Sequence, residues 1–176
     1  MHAAHEKIGD ARIVAPDEGD SHWQPVPANG YVRNILSSRT VRSELDFALG
    51  TQTVAPGCFI REHTHDRNEE IIFVLSGKGF VRLDGVEHPI EPGSAVFLGY
   101  NRKHQFINPG PEPLTFLWLF TPGGLDAFFE QIGRPRRPHD PTPEPFARPA
   151  NIAEIEKRTV FGWTDLDFDR EGKSSP

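Results

Sequence analysis

A single cysteine, Cys58, stands in 176 residues. No disulfide can therefore close within one copy of the chain, which excludes a disulfide-stapled scaffold and fits a reducing compartment. No apolar run approaches the roughly 18 residues of a membrane-spanning helix. The opening Met-His-Ala-Ala-His-Glu-Lys lacks the apolar stretch of a secretory signal. A cytoplasmic location with no membrane partner is the expectation. Positive charge is also scarce: 19 Lys and Arg against 25 Asp and Glu give a formal charge of −6. That balance argues against a nucleic-acid partner, which usually needs a basic face, and fits a protein acting on small molecules.

Turn formers are abundant, with 17 prolines and 16 glycines. Between them lie short segments rich in β-branched, aromatic or alternating apolar residues, and these read as strands: Tyr31–Leu36, Asp46–Val54, Cys58–His65, Glu70–Leu75, Lys78–Leu83, Ser94–Leu98, His104–Asn108 and Leu114–Phe120. Close spacing of so many strands predicts an all-β sandwich or barrel over residues 31–121, of which the jelly roll is one solution. Residues 1–30 are polar and read as an N-terminal arm. After Phe120 the apolar period lengthens, with Leu125, Phe128, Phe129 and Ile132 on one stripe. A packing helix over 122–133 follows, with Thr121 as N-cap, Pro122 at its first position and Gly133 as its stop. Residues 134–176 form a proline-rich linker and tail, with prolines at 135, 138, 141, 143, 145 and 149 holding the linker extended. Within this stretch Asn151 and Glu154 resemble a capping box opening a short helix over Ile152–Arg158. Phe161, Trp163 and Phe168 follow in a charged setting, suited to docking on the domain or on a second copy.

The chemistry concentrates around His63-Thr-His65 and Glu70. Side chains two apart on a strand leave the same face about 6.5–7 Å apart along the chain, near enough for two imidazoles to share an ion. Four residues, enough for a turn, separate His65 from Glu70, which opens the next apolar strand. His104 lies ahead of Phe106 and Asn108 and would complete a mixed imidazole and carboxylate shell suited to Fe, Mn, Ni, Cu, Co or Zn. By itself a His-x-His pair is as readily a surface pair. Glu69 is an alternative carboxylate, but Glu70 shares its alternation with Ile72 and Val74 and is preferred. His2, His5, His22, His88 and His139 sit in polar or proline-rich text and are expected at the surface.

Gly57, His63, His65, Glu70 and Gly77 match every defined position of the first cupin motif, Gly-x5-His-x-His-x4-Glu-x6-Gly. Gly93, His104 and Asn108 match the second, although Gly99 stands where proline is usual and Asn101 where glycine is. The chain thus resembles the cupin superfamily, and its single-cupin layout is similar to proteins described as quercetin-dioxygenase-like. The resemblance implies a double-stranded β-helix, a jelly-roll barrel with short C-terminal helices. It implies one divalent transition metal, iron foremost, on His63, His65, Glu70 and His104, and a small-molecule mouth at one end of the barrel. It does not imply one reaction. The leading expectation is a dioxygenase acting on an aromatic or enolisable substrate, with Glu70 as ligand or proton acceptor. Isomerase, decarboxylase or lyase chemistry, and a binding module without catalysis, are the alternatives. On strand alternation Phe59 and Arg61 share a face with His63, Phe106 with His104, and Phe116 with Trp118. These five are the candidate substrate contacts, although large aromatics as readily fill a core. An inward Arg61 needs an anion, either a substrate carboxylate or an acidic neighbour. Arm and tail make a homodimer the expected assembly.

Overall fold

The computed structural model of the chain describes residues 8–164. Ten strands and two helices lie among them: β1 (Asp20–Trp23), β2 (Tyr31–Ser37), β3 (Ala48–Val54), β4 (Glu69–Ser76), β5 (Gly79–Leu83), β6 (Val86–Ile90), β7 (Ala95–Leu98), β8 (His104–Ile107), β9 (Leu114–Thr121), α1 (Leu125–Ile132), β10 (Arg134–Pro135) and α2 (Ile152–Arg158). The strands form two antiparallel sheets, one ordered β10-β1-β2-β3-β9-β4-β7 and the other β6-β5-β8. This is the expected all-β jelly roll with short C-terminal helices.

Alternation decides which side chains meet between the sheets. In β9, Leu114, Phe116, Trp118 and Phe120 are buried and the residues between them are half-buried. In β4, Glu70, Ile72 and Val74 point inward while Ile71, Phe73 and Leu75 face out. Phe106 of β8 meets Phe116 of β9 with ring centroids 4.8 Å apart, joining the sheets across the core. α1 lays Leu125, Phe128, Phe129 and Ile132 on the same core, as its stripe predicts.

Several local readings are corrected. Asp20–Trp23, in the text read as an arm, is a strand paired with β2 and with the two-residue β10. Val86–Ile90 is a strand hidden from sequence by its polar side chains and by Pro89; it tolerates that proline because β6 is the edge of its sheet. Thr121 does not cap α1. It stays in the ladder opposite Glu69, and its hydroxyl donates to the Asp46 carbonyl at 3.1 Å, so the helix starts three residues later than the Pro122 reading, behind Gly124 at φ 118°. α2 spans the expected residues, yet the Asn151 side chain makes no cap hydrogen bond. Phe168 lies outside the described residues.

Cys58–His65 is not a continuous strand. It touches β8 through isolated bridges, Phe59 to Ile107 and His63 to His104. Four steps run from Phe59 to His63 but three from Ile107 to His104, so one extra residue is accommodated between the bridges. Such a bulge reverses the alternation beyond it.

Two motif residues act through the backbone. Gly77 turns at φ +80°, and a Cβ there would lie 2.3 Å from the Pro113 carbonyl oxygen. Asn108 is fully buried, and its amide donates to the carbonyls of Val54, Ala55 and Glu112 at 2.9–3.1 Å while its oxygen accepts from the Gly110 N–H. Asn108→Ala leaves three carbonyls short of a donor and should lower the unfolding free energy by about 3 kcal/mol. Urea denaturation measures this, and a loss under about 1 kcal/mol would show that the junction is held by other contacts.

Candidate metal centre

The three histidines reach one point from two directions. His63 and His104 are clamped by reciprocal backbone hydrogen bonds, 3.1 Å from the His63 N–H to the His104 carbonyl and 3.0 Å in return. His65 is fixed from the loop before β8, where the Asn101 N–H donates to its carbonyl at 2.7 Å. Asn101 adopts φ +60°, the left-handed conformation that asparagine accepts better than other non-glycine residues. The turn therefore keeps its shape although asparagine replaces the motif's usual glycine. Ring centroids lie 4.1 Å apart for His63 and His104, 4.9 Å for His63 and His65, and 5.2 Å for His65 and His104. One donor nitrogen from each falls within 4.8 Å of the others.

The hydrogen bonds fix which nitrogens these are. Each Nδ1 lies against a backbone carbonyl: His63 against Arg61 at 2.8 Å, His65 against Val160 at 2.8 Å, and His104 against Arg102 at 2.9 Å. A carbonyl can only accept, so in every ring Nδ1 carries the proton and Nε2 presents a lone pair. His104 Nε2 is buried with no hydrogen-bond partner. A Glu70 carboxylate oxygen sits 3.5 Å from His104 Nε2 and 3.7 Å from His65 Nε2, too far for a hydrogen bond. Lone pairs and a carboxylate facing one another without a proton between them are mutually repulsive and call for a cation. Donors bound at about 2.1 Å to one ion sit about 3.0–3.4 Å apart at octahedral to tetrahedral angles, so the imidazole nitrogens, up to 4.8 Å apart, would draw together on binding. The three imidazoles fit a divalent metal, with the Glu70 carboxylate beside two of them.

Electrostatics favours the neutral rings. Burial lowers the His63 pKa well below the ordinary imidazole range, helped by the charges of His104 and His65, and a backbone hydrogen bond partly opposes it. Burial also pulls His65 down to about 4, although the Glu70 carboxylate works the other way.

Beside this cluster is a chamber with about 660 Å³ of space not filled by atoms, its mouth included. Phe106, Phe116, Phe128, Phe129 and Phe161 supply apolar wall, and Arg61, Arg148 and Glu156 supply charged groups. Of the five expected substrate contacts, Arg61, Phe106 and Phe116 line it. Phe59 does not: the bulge turns it outward, 40% exposed, and Ile60 takes the inward place. Trp118 is fully buried behind the wall, packed against Phe129 with centroids 6.0 Å apart. Glu70 is buried, whereas Glu69 is half-buried and paired with Thr121. His88 and His139 are exposed as expected and His22 is half-buried; His2 and His5 lie outside the described residues.

The C-terminal cover was the least legible part. Val160 holds His65, the Phe161 ring lies 5.1 Å from His63, and the Thr64 N–H donates to the Trp163 carbonyl while the Thr64 hydroxyl accepts from the Trp163 N–H. Glu156 takes the anionic role that Arg61 required, with Arg148 as a second partner. The sequence carried one signal: Ile152, Ile155 and Glu156 share a helical face, which places a carboxylate on an apolar stripe.

The Cupin domain family matches residues 50–120. Protein SchB of Streptomyces halstedii is 36% identical over 104 residues, 57% of this chain and 70% of that protein. The chain is a cupin. A second relative of this cupin, the dimethylsulfoniopropionate lyase DddW of Ruegeria pomeroyi, is 33% identical over 102 residues, 57% of the chain and 66% of the relative. Among solved structures, the polyketide cyclase RemF of Streptomyces resistomycificus aligns with TM-score 0.56 at 20% identity over 64% of the chain and 80% of its own, a likeness of fold alone. No helix among the described residues is long and apolar enough to cross a membrane.

Burial of His63 and His65 sets a pH dependence in metal-stripped protein. Ordinary imidazoles of the unfolded chain take up protons below about pH 6.5, whereas folded His65 resists until about 4. Folding then excludes protons, so this contribution to stability is intact above about pH 6.5 and falls as pH drops towards 4. With chelator present, the urea midpoint should fall steadily across that window, and less steeply in His63→Gln/His65→Gln. Equal slopes would contradict buried neutral rings.

Proposed function

We propose that this cupin is a metal-dependent enzyme that binds an aromatic or enolisable small molecule in the phenylalanine-lined chamber and reacts it at an ion held by His63, His65, His104 and Glu70. The observation that carries this reading is the clustering of three imidazoles, each held by a carbonyl at its own Nδ1, with a buried carboxylate beside two of them. A divalent ion in that shell would supply Lewis-acid polarisation of a substrate oxygen, with three neutral donors leaving most of its charge available. Glu70, the carboxylate beside His65 and His104, would move a proton at a carbon next to that oxygen. Phe106, Phe116 and Phe161 would orient the substrate and exclude water.

Non-redox chemistry is the better supported form, since a relative above 30% identity is named a lyase. The dioxygenase reading uses the same residues with iron, for which an imidazole and carboxylate shell is equally suited.

Metal titration by calorimetry tests the shell. His65→Ala and His104→Ala should each lower affinity about 100-fold or more, and His88→Ala should leave it unchanged. Equal losses in all three would remove the assignment. Reaction class is read by incubating the metal-loaded protein with a β-diketone in D2O. Exchange of the α-proton without oxygen uptake, abolished in Glu70→Gln with metal retained, is expected; stoichiometric oxygen consumption would transfer the proposal to the dioxygenase.

We also propose that the chain forms a homodimer through the outer face of β4 and β7. Ile71, Phe73, Leu75 and Phe97 are 43–63% exposed there, Ile71 pairs directly with Phe97, and β7 is a sheet edge with backbone groups open to a second copy. Sedimentation should give a dimer at micromolar concentration and a monomer for Phe73→Lys/Phe97→Lys with metal content unchanged. A monomeric parent protein would overturn it.

A further inference from the structure

In the lining of the chamber, among the described residues, two guanidinium groups meet the Glu156 carboxylate from a different part of the chain. Arg61 Nη2 donates to Glu156 Oε1 at 2.5 Å, and Arg148 Nη1 donates to the same oxygen at 2.8 Å. All three side chains are largely removed from water, at 14%, 21% and 4% side-chain exposure, and all three line the chamber. Burying ionised groups is costly unless each is paired. The pairing here is incomplete on the acid's side, because Glu156 Oε2 is buried with no hydrogen-bond partner. A carboxylate bound by guanidinium groups is best held through both oxygens. Glu156, reaching in from α2, uses one.

We infer that Arg61 and Arg148 are the recognition site for a carboxylate on the substrate, and that Glu156 is a built-in occupant of that site which the substrate displaces. The inference deepens the proposed function, since it rests on the chamber being the substrate site, and it narrows the substrate class to aromatic or enolisable carboxylates. Three features support it. The occupant is itself a carboxylate. It is carried on α2, a seven-residue helix whose onward chain, Val160 to Trp163, covers the histidines, so releasing Glu156 also loosens that cover. The chamber also carries apolar wall from Phe106, Phe116 and Phe128 beside the arginines and the histidines, which suits a substrate with both an apolar body and a charged group.

Because Glu156 is tethered, it competes at a high effective concentration, and removing its charge should unmask the site. Benzoate serves as the probe and benzamide as its neutral counterpart, each titrated calorimetrically against the full chain with metal bound and again after chelation. In Glu156→Gln benzoate should bind about tenfold or more tightly than in the parent, benzamide should not change, and Arg61→Met added to Glu156→Gln should cancel the gain. The gain should persist without metal, so the result is independent of whether the metal-catalysis reading holds. Gain confined to the metal-bound protein places benzoate on the ion and overturns the inference, as does an equal gain for benzamide. Should Glu156→Gln fail to fold, hydrogen exchange in the parent protein decides. Saturating benzoate, but not benzamide, should speed exchange of the α2 amides about tenfold, and unchanged exchange refutes displacement.

Discussion

Three hydrogen bonds organise this protein: the backbone carbonyls of Arg61, Arg102 and Val160 each hold the Nδ1 proton of one histidine. A free imidazole can put its proton on either nitrogen and turn to suit. Here each ring is held in one orientation by the bond at its Nδ1, and burial lowers the pKa of His63 and His65. Bulge, clamp and turn all serve that arrangement. The extra residue before His63 sets which face the histidines take, the reciprocal bonds to His104 bring the second segment alongside, and Asn101 anchors His65.

The third of those carbonyls comes from outside the barrel. Val160 follows α2, 95 residues beyond His65, so the environment of the centre is shared between the β-core and the C-terminal cover. The same segment delivers Phe161 to the histidine rings and Glu156 to the arginines. Displacing this segment would therefore disturb the support of His65 as well as the chamber wall.

Much of the core was legible because β-structure writes a period of two into sequence. β4 and β9 alternate cleanly, and Glu70 lies on the inward face with Ile72 and Val74 for that reason alone. The reading failed where the period was interrupted or disguised. A bulge reversed Phe59 relative to His63, and a proline with polar neighbours concealed an edge strand in Val86–Ile90. Thr121 looked like a cap because its hydroxyl and the following proline fit one, but the ladder opposite β4 held it extended. Local propensity lost to pairing in each case.

From the sequence alone come the β-class of the fold, the family through its two motifs, and the identity of three imidazoles and one carboxylate, because these depend on residue type and short spacing. Tertiary structure decided the carbonyl at each Nδ1, the lowered pKa of His63 and His65, the pairing of Arg61 with Glu156 and the tail's share in the chamber wall. Those depend on burial and on carbonyls and side chains contributed by segments up to ninety-five residues away. No spacing along the chain encodes such distances; folding brings the groups together, and the low polarity of the space they enclose determines their chemistry.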